Sequence, residues 1–172
     1  DHPFLILSVS SVVFIGAVFG LMRINYNASV MEDLRPGNPL YDDFMFVEAE
    51  LGGTLPLEVI VDARIENASL NPVILDKTQV FKNEILQTHE INTAITVGDY
   101  LMLINEDLGS GKRELPASED EAMSFVYEYD RIQEFLNDDY SKSRISCRIP
   151  DMPYERAMLI RDEIFKLAKS MI

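Results

Sequence analysis

The side chains that could do chemistry are few and far apart. The one thiol is Cys147, the imidazoles are His2 and His89, and adjacent carboxylates occur at Asp42-Asp43 and Asp138-Asp139. A thiolate acts as a nucleophile when a base or cation beside it lowers its pKa, and an imidazole serves as general base or metal ligand when an acid orients it. The spacing suggests neither arrangement. There is no HExxH, no GxSxG and no phosphate-binding loop, and Gly52-Gly53 lacks the spacing of a dinucleotide loop. Neighbouring acids on a helix splay by about 100°, so each pair reads as solvated surface. Asn27-Ala28-Ser29 and Asn67-Ala68-Ser69 match the glycosylation sequon, which matters only in a eukaryotic secretory chain. The sequence gives no catalytic residue, no cofactor-binding residue and no metal ligand, and an enzyme is not expected.

The elements around these residues say more. In Arg144 to Ile149, Ile145, Cys147 and Ile149 alternate with Arg144, Ser146 and Arg148. That period of two puts the thiol on the apolar face of a strand, where it is expected to be buried and inert. A lone cysteine forms no internal disulfide, which removes the small disulfide scaffold from consideration. The net charge of −14 and pI near 4.4 exclude nucleic acid as a natural partner, since phosphate binding needs clustered Lys and Arg. Surplus carboxylates keep an aqueous domain soluble and off anionic headgroups.

From Pro3 to Met22 the chain reads PFLILSVSSVVFIGAVFGLM, without a charge. This is close to the roughly 20 residues a helix needs to cross hydrocarbon, and it predicts a transmembrane helix with its flanks over 1–24. The residues on either side fit a signal peptide poorly. Gly16 and Gly20 form a GxxxG spacing, which brings a neighbouring membrane helix close. The acid-rich continuation, with Arg23 and Arg35 as its only early cations, suits the non-cytoplasmic side.

Residues 25–172 alternate helical and extended patterns. Asn38-Pro39 opens a helix with Leu40, Phe44, Val47 and Leu51 on one face, stopped by Gly52. Asn71-Pro72 opens another, through about Gln87. Thr96 with Asp99 and Ser118 with Glu121 are capping boxes. The first precedes Val97, Leu101, Ile104 and Leu108, closed by Gly109; the second precedes Phe125, Tyr129, Ile132 and Leu136. Pro153 begins a last helix, with Ala157, Ile160, Ile164, Leu167 and Met171 on one face. Strands are expected at Leu57 to Val61 and Arg144 to Ile149, with a short third around Ile91 to Ile95. In LGGTLPLEVIVD, Gly52 ends the helix, Gly53 permits the turn, and Pro56 sits at the strand's first residues, where a missing N–H is tolerated. Leu57, Val59 and Val61 would face the helices. The order predicts an α+β domain with helices covering one face of a small sheet. The last helix has no strand after it and the chain opens with Asp1, so it reads as a piece of a longer protein, incomplete at its C-terminus.

Several stretches, in order, resemble the resistance-nodulation-division superfamily of exporters, in particular the exporters akin to Patched and the mycobacterial lipid exporters. They are His2-Pro3 with the apolar helix, MEDLRPGNPLYDDF, LGGTLPLEVIVD, ITVGDYLMLINEDLGSGKRELPASEDE, and DDYSKSRISCRIPDM with the closing helix. The resemblance implies a membrane helix of the second half followed by most of its periplasmic porter loop. The porter subdomain would be ferredoxin-like (βαββαβ) with extra helices, lacking its last strand. The implied parent is a proton-driven exporter of hydrophobic or lipid-like compounds in the bacterial inner membrane, with residues after about Asn25 in the periplasm. Its partners would be the other membrane helices, the first porter loop, the lipid bilayer and, in a homo-oligomer, a second copy. The apolar helix carries no ionisable side chain, so proton coupling would reside in membrane helices beyond this segment. The alternative is a single-helix-anchored extracytoplasmic domain that senses a ligand or partner.

Overall fold

Two asparagine–proline pairs open the second and third helices in a computed structural model of the chain, which describes residues 3–23, 34, 37–87 and 90–171, with side chains at 3, 5 and 6 left aside. Helix α1 runs Pro3–Leu21 and α2 runs Pro39–Leu51. The Asn38 carboxamide accepts the Leu40 N–H at 3.1 Å, and Gly52 closes α2 at φ 76°. Strand β1, Leu55–Asp62, follows. A 3-10 turn, Ala68–Leu70, leads to α3, Pro72–Ile85, where Asn71 repeats the cap by accepting from Val73 N at 3.0 Å. Then come β2, Thr93–Ile95, and α4, Val97–Leu108. Helices α5, Glu119–Glu128, and α6, Asp130–Gln133, precede β3, Lys142–Ile149, and α7, Tyr154–Met171, ends the description.

The sheet is antiparallel throughout, ordered β1-β3-β2. The longest continuous pairing joins Leu55 to Ile149 at one end and Asp62 to Lys142 at the other. Period-two alternation sends Ser143, Ile145, Cys147 and Ile149 of β3 inward and all four are buried. The chain is therefore a mixed α+β protein, as its patterning predicts. A βαββαβ unit calls for a hairpin between its second and third strands. Here α4, α5 and α6 stand between β2 and β3, and no fourth strand occurs among the described residues.

Two cores share α3. Ile145, Cys147 and Ile149 meet Ile85, Ile91, Met152, Ile160 and Ile164 between the sheet and α3 and α7. Leu57, Val59 and Val61 pack against that cluster, half-buried. The other core is helical: Leu75, Val97, Leu101, Ala122, Phe125, Val126, Ile132 and Phe135 close around Leu70.

The Thr96–Asp99 capping box forms: the Thr96 hydroxyl accepts from Asp99 N at 3.3 Å, and Asp99 accepts from Thr96 N at 2.8 Å. The same carboxylate takes a 2.6 Å bond from Lys82, and Gln79 donates to the buried Thr96 hydroxyl at 2.8 Å. Lys82 and Gln79 thus tie α3 to the capped start of α4. Asp99→Ala is expected to lower unfolding free energy by about 2–3 kcal/mol in urea titration, because it removes the cap and leaves a nearly buried ammonium unpaired. Asp99→Asn, which keeps an acceptor, should lose less.

Several expectations are corrected in detail. The second box is incomplete: the Ser118 hydroxyl accepts from Glu121 N, but Glu121 accepts from Ala117 N at 2.8 Å. The helix expected to run from there to Leu136 breaks at Tyr129, whose backbone is extended (φ −125°, ψ 97°). On α2 the half-buried face is Tyr41, Phe44, Val47 and Glu48, whereas Leu40 and Leu51 are more than half exposed. On α4, Leu108 is exposed and the buried residue of the last turn is Asn105. The Asn105 amide donates to Glu114 O and its carbonyl accepts from Ser110 N, each at 2.9 Å, which ties down the loop after the helix.

Within residues 1–24, where a transmembrane segment is expected, lies helix α1. Its nineteen residues would rise about 28 Å. Its apolar side chains are exposed on every side, from Phe4 to Phe19. Among the described residues no helix is long and apolar enough to cross a membrane.

Candidate functional site at the joint between helix and sheet

The residues of LGGTLPLEVIVD assemble a joint where α2 meets one end of the sheet. At that end lie the start of β1 (Leu55), the end of β3 (Ile149) and the start of β2 (Thr93), since Leu55 pairs with Ile149 and Thr93 with Arg148. The last turn of α2 bonds to all three. The carbonyls of Leu51 and Gly52, freed at the helix end, accept from the Thr93 hydroxyl at 3.3 Å and the Asn92 amide at 3.1 Å. From half-buried Glu48, Oε2 accepts from the Thr54 hydroxyl at 2.7 Å and Oε1 from the Asp151 backbone N–H at 2.6 Å. One carboxylate thus ties α2 to the start of β1 and the exit of β3.

The two glycines make the approach possible. Gly53 is buried at φ 137°, a conformation open essentially to glycine alone. A Cβ there would overlap the backbone carbonyl of Ile149 and lie 2.8 Å from Pro150 N. At Gly52 a Cβ would stand 2.6 Å from the Thr93 hydroxyl. Pro56 is exposed, second in the edge strand β1, opposite Arg148.

The outward face of the sheet gathers positive charge in an acidic chain. Lys142, Arg144 and Arg148 alternate along β3. Lys142 pairs with Asp62 at 3.6 Å and Arg144 with Glu58 at 3.9 Å, while Ser146 donates to Glu58 at 2.9 Å. The Arg144 guanidinium also lies 5.1 Å from the centre of the Phe135 ring. Both pairs are long and lie at the partly exposed surface, where such a pair contributes at most about 1 kcal/mol.

The candidates with chemical potential do not come together. Cys147 is fully buried, and burial, then the charge of Glu58, pushes its thiol up to about 11 from 9.0. The folded state therefore holds the proton that the unfolded thiol releases, so this group's contribution to stability falls as pH rises from about 9 to about 11. At pH 8 a thiol reagent is expected to leave the native chain unlabelled and to modify it once urea has unfolded it, which mass spectrometry would read. His2 and His89 lie outside the described residues, as does Asn27-Ala28-Ser29. Among the described residues no cluster of His, Cys, Asp and Glu is placed to hold a metal.

Asp42, Asp43 and Asp138 are exposed, as expected of solvated acids. Asp139 is exposed as well but is also bonded: it accepts from the Ser141 hydroxyl and the Asn137 amide, both at 2.6 Å, and from Ser141 N at 3.1 Å. Those bonds, that of the Ser141 hydroxyl first, hold its carboxyl below the usual range. In the second sequon Ser69 is buried and Asn67 stands at φ 61° with its N–H bonded to Asp139 O. Gly16 and Gly20 have open space around them on α1.

Sequence reading passed over Glu48 and Asn105. Each is one polar residue on a helix, and nothing local marks it as bonding to a distant backbone. No family model, curated protein or solved structure matches the chain.

Proposed function

We propose that the chain is a segment of a proton-driven exporter of the resistance-nodulation-division type, which moves hydrophobic or lipid-like compounds, and that residues after α2 form part of its periplasmic porter domain. The observation that carries this reading is the joint: an apolar helix, then α2, whose last turn bonds at all three strand ends of an α+β sheet across a two-glycine turn. The strand order β1-β3-β2 supports it, being the order of the first three strands of a ferredoxin-like unit, with α4 to α6 as an insertion. Exposed apolar side chains all round α1 support a helix that lies among lipid and other membrane helices. In this reading α1, which lacks ionisable groups, anchors, and other helices carry the protons.

Translating the gene on both sides of this segment tests the reading first. Further apolar stretches of about 20 residues are expected on each side, with ionisable groups in the central ones. The parent protein in proteoliposomes should then move a fluorescent lipid only under a proton gradient. Finding no other apolar stretch would replace the exporter with a membrane-anchored binding domain.

A further inference from the structure

We propose that Glu48 is a positioning residue, the latch through which displacement of α2 reaches the sheet. The inference rests on the exporter reading only in assigning α2 as the link from a membrane helix to a porter domain. α2 has no fully buried residue, so the apolar packing that usually locks a helix in place is thin here. Its fixed end instead depends on polar bonds concentrated in one turn. Two of these, from Asn92 and Thr93, reach backbone carbonyls at 3.1 and 3.3 Å. The two shortest converge on the Glu48 carboxylate, at 2.6 and 2.7 Å. Charge-assisted bonds of this kind are roughly twice as strong as neutral ones.

The placement of the two donors gives the latch its consequence. Thr54 stands immediately before β1, and Asp151 stands between the end of β3 and the start of α7. β1 and β3 are neighbours in the sheet, and α7 contributes Ile160 and Ile164 to the core beneath it. A shift of α2 that keeps the carboxylate bonded therefore moves the ends of two paired strands and the start of the covering helix together. If the carboxylate lets go, α2 keeps only the two-glycine joint and the longer, uncharged bonds from Asn92 and Thr93 to its last carbonyls, and the sheet stays where it is.

The side-chain chemistry separates this role from bulk stabilisation. Glu48→Ala removes both acceptors. Glu48→Gln keeps one oxygen for the Asp151 N–H, and its NH2 donates to the Thr54 hydroxyl, which can turn round to accept. Amide hydrogen exchange on the full chain in mild detergent reads the result residue by residue. A spin-label pair at Asp43→Cys on α2 and Lys77→Cys on α3, both exposed positions, reads the distance between helix and domain.

In Glu48→Ala, exchange at the Asp151 amide should rise about tenfold or more while core amides such as that of Ile145 keep their protection, and the spin-label distances should broaden. Glu48→Gln should restore most of both. Thr54→Val, which leaves the carboxylate in place, should broaden the distances partway and provides the test should Glu48→Ala fail to fold. Unchanged exchange and distances in Glu48→Ala, or in Thr54→Val where the former does not fold, would overturn the proposal. So would a uniform rise at all amides, or a Glu48→Gln variant no better than alanine. None of these readings involves transport, so the latch and the exporter assignment stand or fall separately.

Discussion

Gly53→Ala is expected to destabilise the domain by about 4 kcal/mol or more. Two costs add. Alanine at φ 137° is strained by roughly 1–3 kcal/mol wherever it occurs. Here its Cβ would also overlap the Ile149 carbonyl, which belongs to backbone paired in the sheet and has no side-chain freedom with which to yield. Since domains of this size are stable by about 5–15 kcal/mol, the variant should unfold at a much lower urea concentration, followed by far-UV circular dichroism. The control is Gly20→Ala: open space surrounds that residue on α1, so the change should be neutral or slightly favourable to the helix. Equal effects at the two positions would mean that the joint does not pack as described.

Ile145→Ala should cost about 3–4 kcal/mol. Ile145 is fully buried on the central strand and its neighbours on the same face are buried as well, so the cavity left behind cannot be closed by a surface side chain folding in. Three residues along the same strand, Arg148 points outward and is exposed. Arg148→Ala should change stability by no more than about 0.5 kcal/mol. The pair, measured by urea unfolding with a common slope, tests the inward and outward alternation of β3 directly. Similar losses at both would require a partner or a different register on the outer face.

The alternation around Cys147 was readable because a strand's period of two is a local property, and the structure buries Ile145, Cys147 and Ile149 as that period requires. Helix starts were equally legible, because a cap is made by residues two or three positions apart, as at Asn38, Asn71 and Thr96. Helix faces were less so. Leu108 fits the apolar spacing of α4, yet Asn105 takes the buried place, because two backbone groups of the following loop satisfy its amide. Asp139 is a surface acid, and its partners Asn137 and Ser141 stand only two positions away, so its turn is a local feature that the pairing with Asp138 left unread.

What the sequence determined by itself is the set of elements: an uncharged apolar helix, capped amphipathic helices, alternating strands and a two-glycine turn. All follow from interactions within a few residues. Only the tertiary structure decided that β3 lies between β1 and β2, that two cores share α3, and that Glu48 bonds to a backbone N–H 103 residues away. Each of those depends on which distant surfaces bury one another. A carboxylate's partner is fixed by the donor that folding brings within 3 Å, and neither its residue type nor its spacing names that donor.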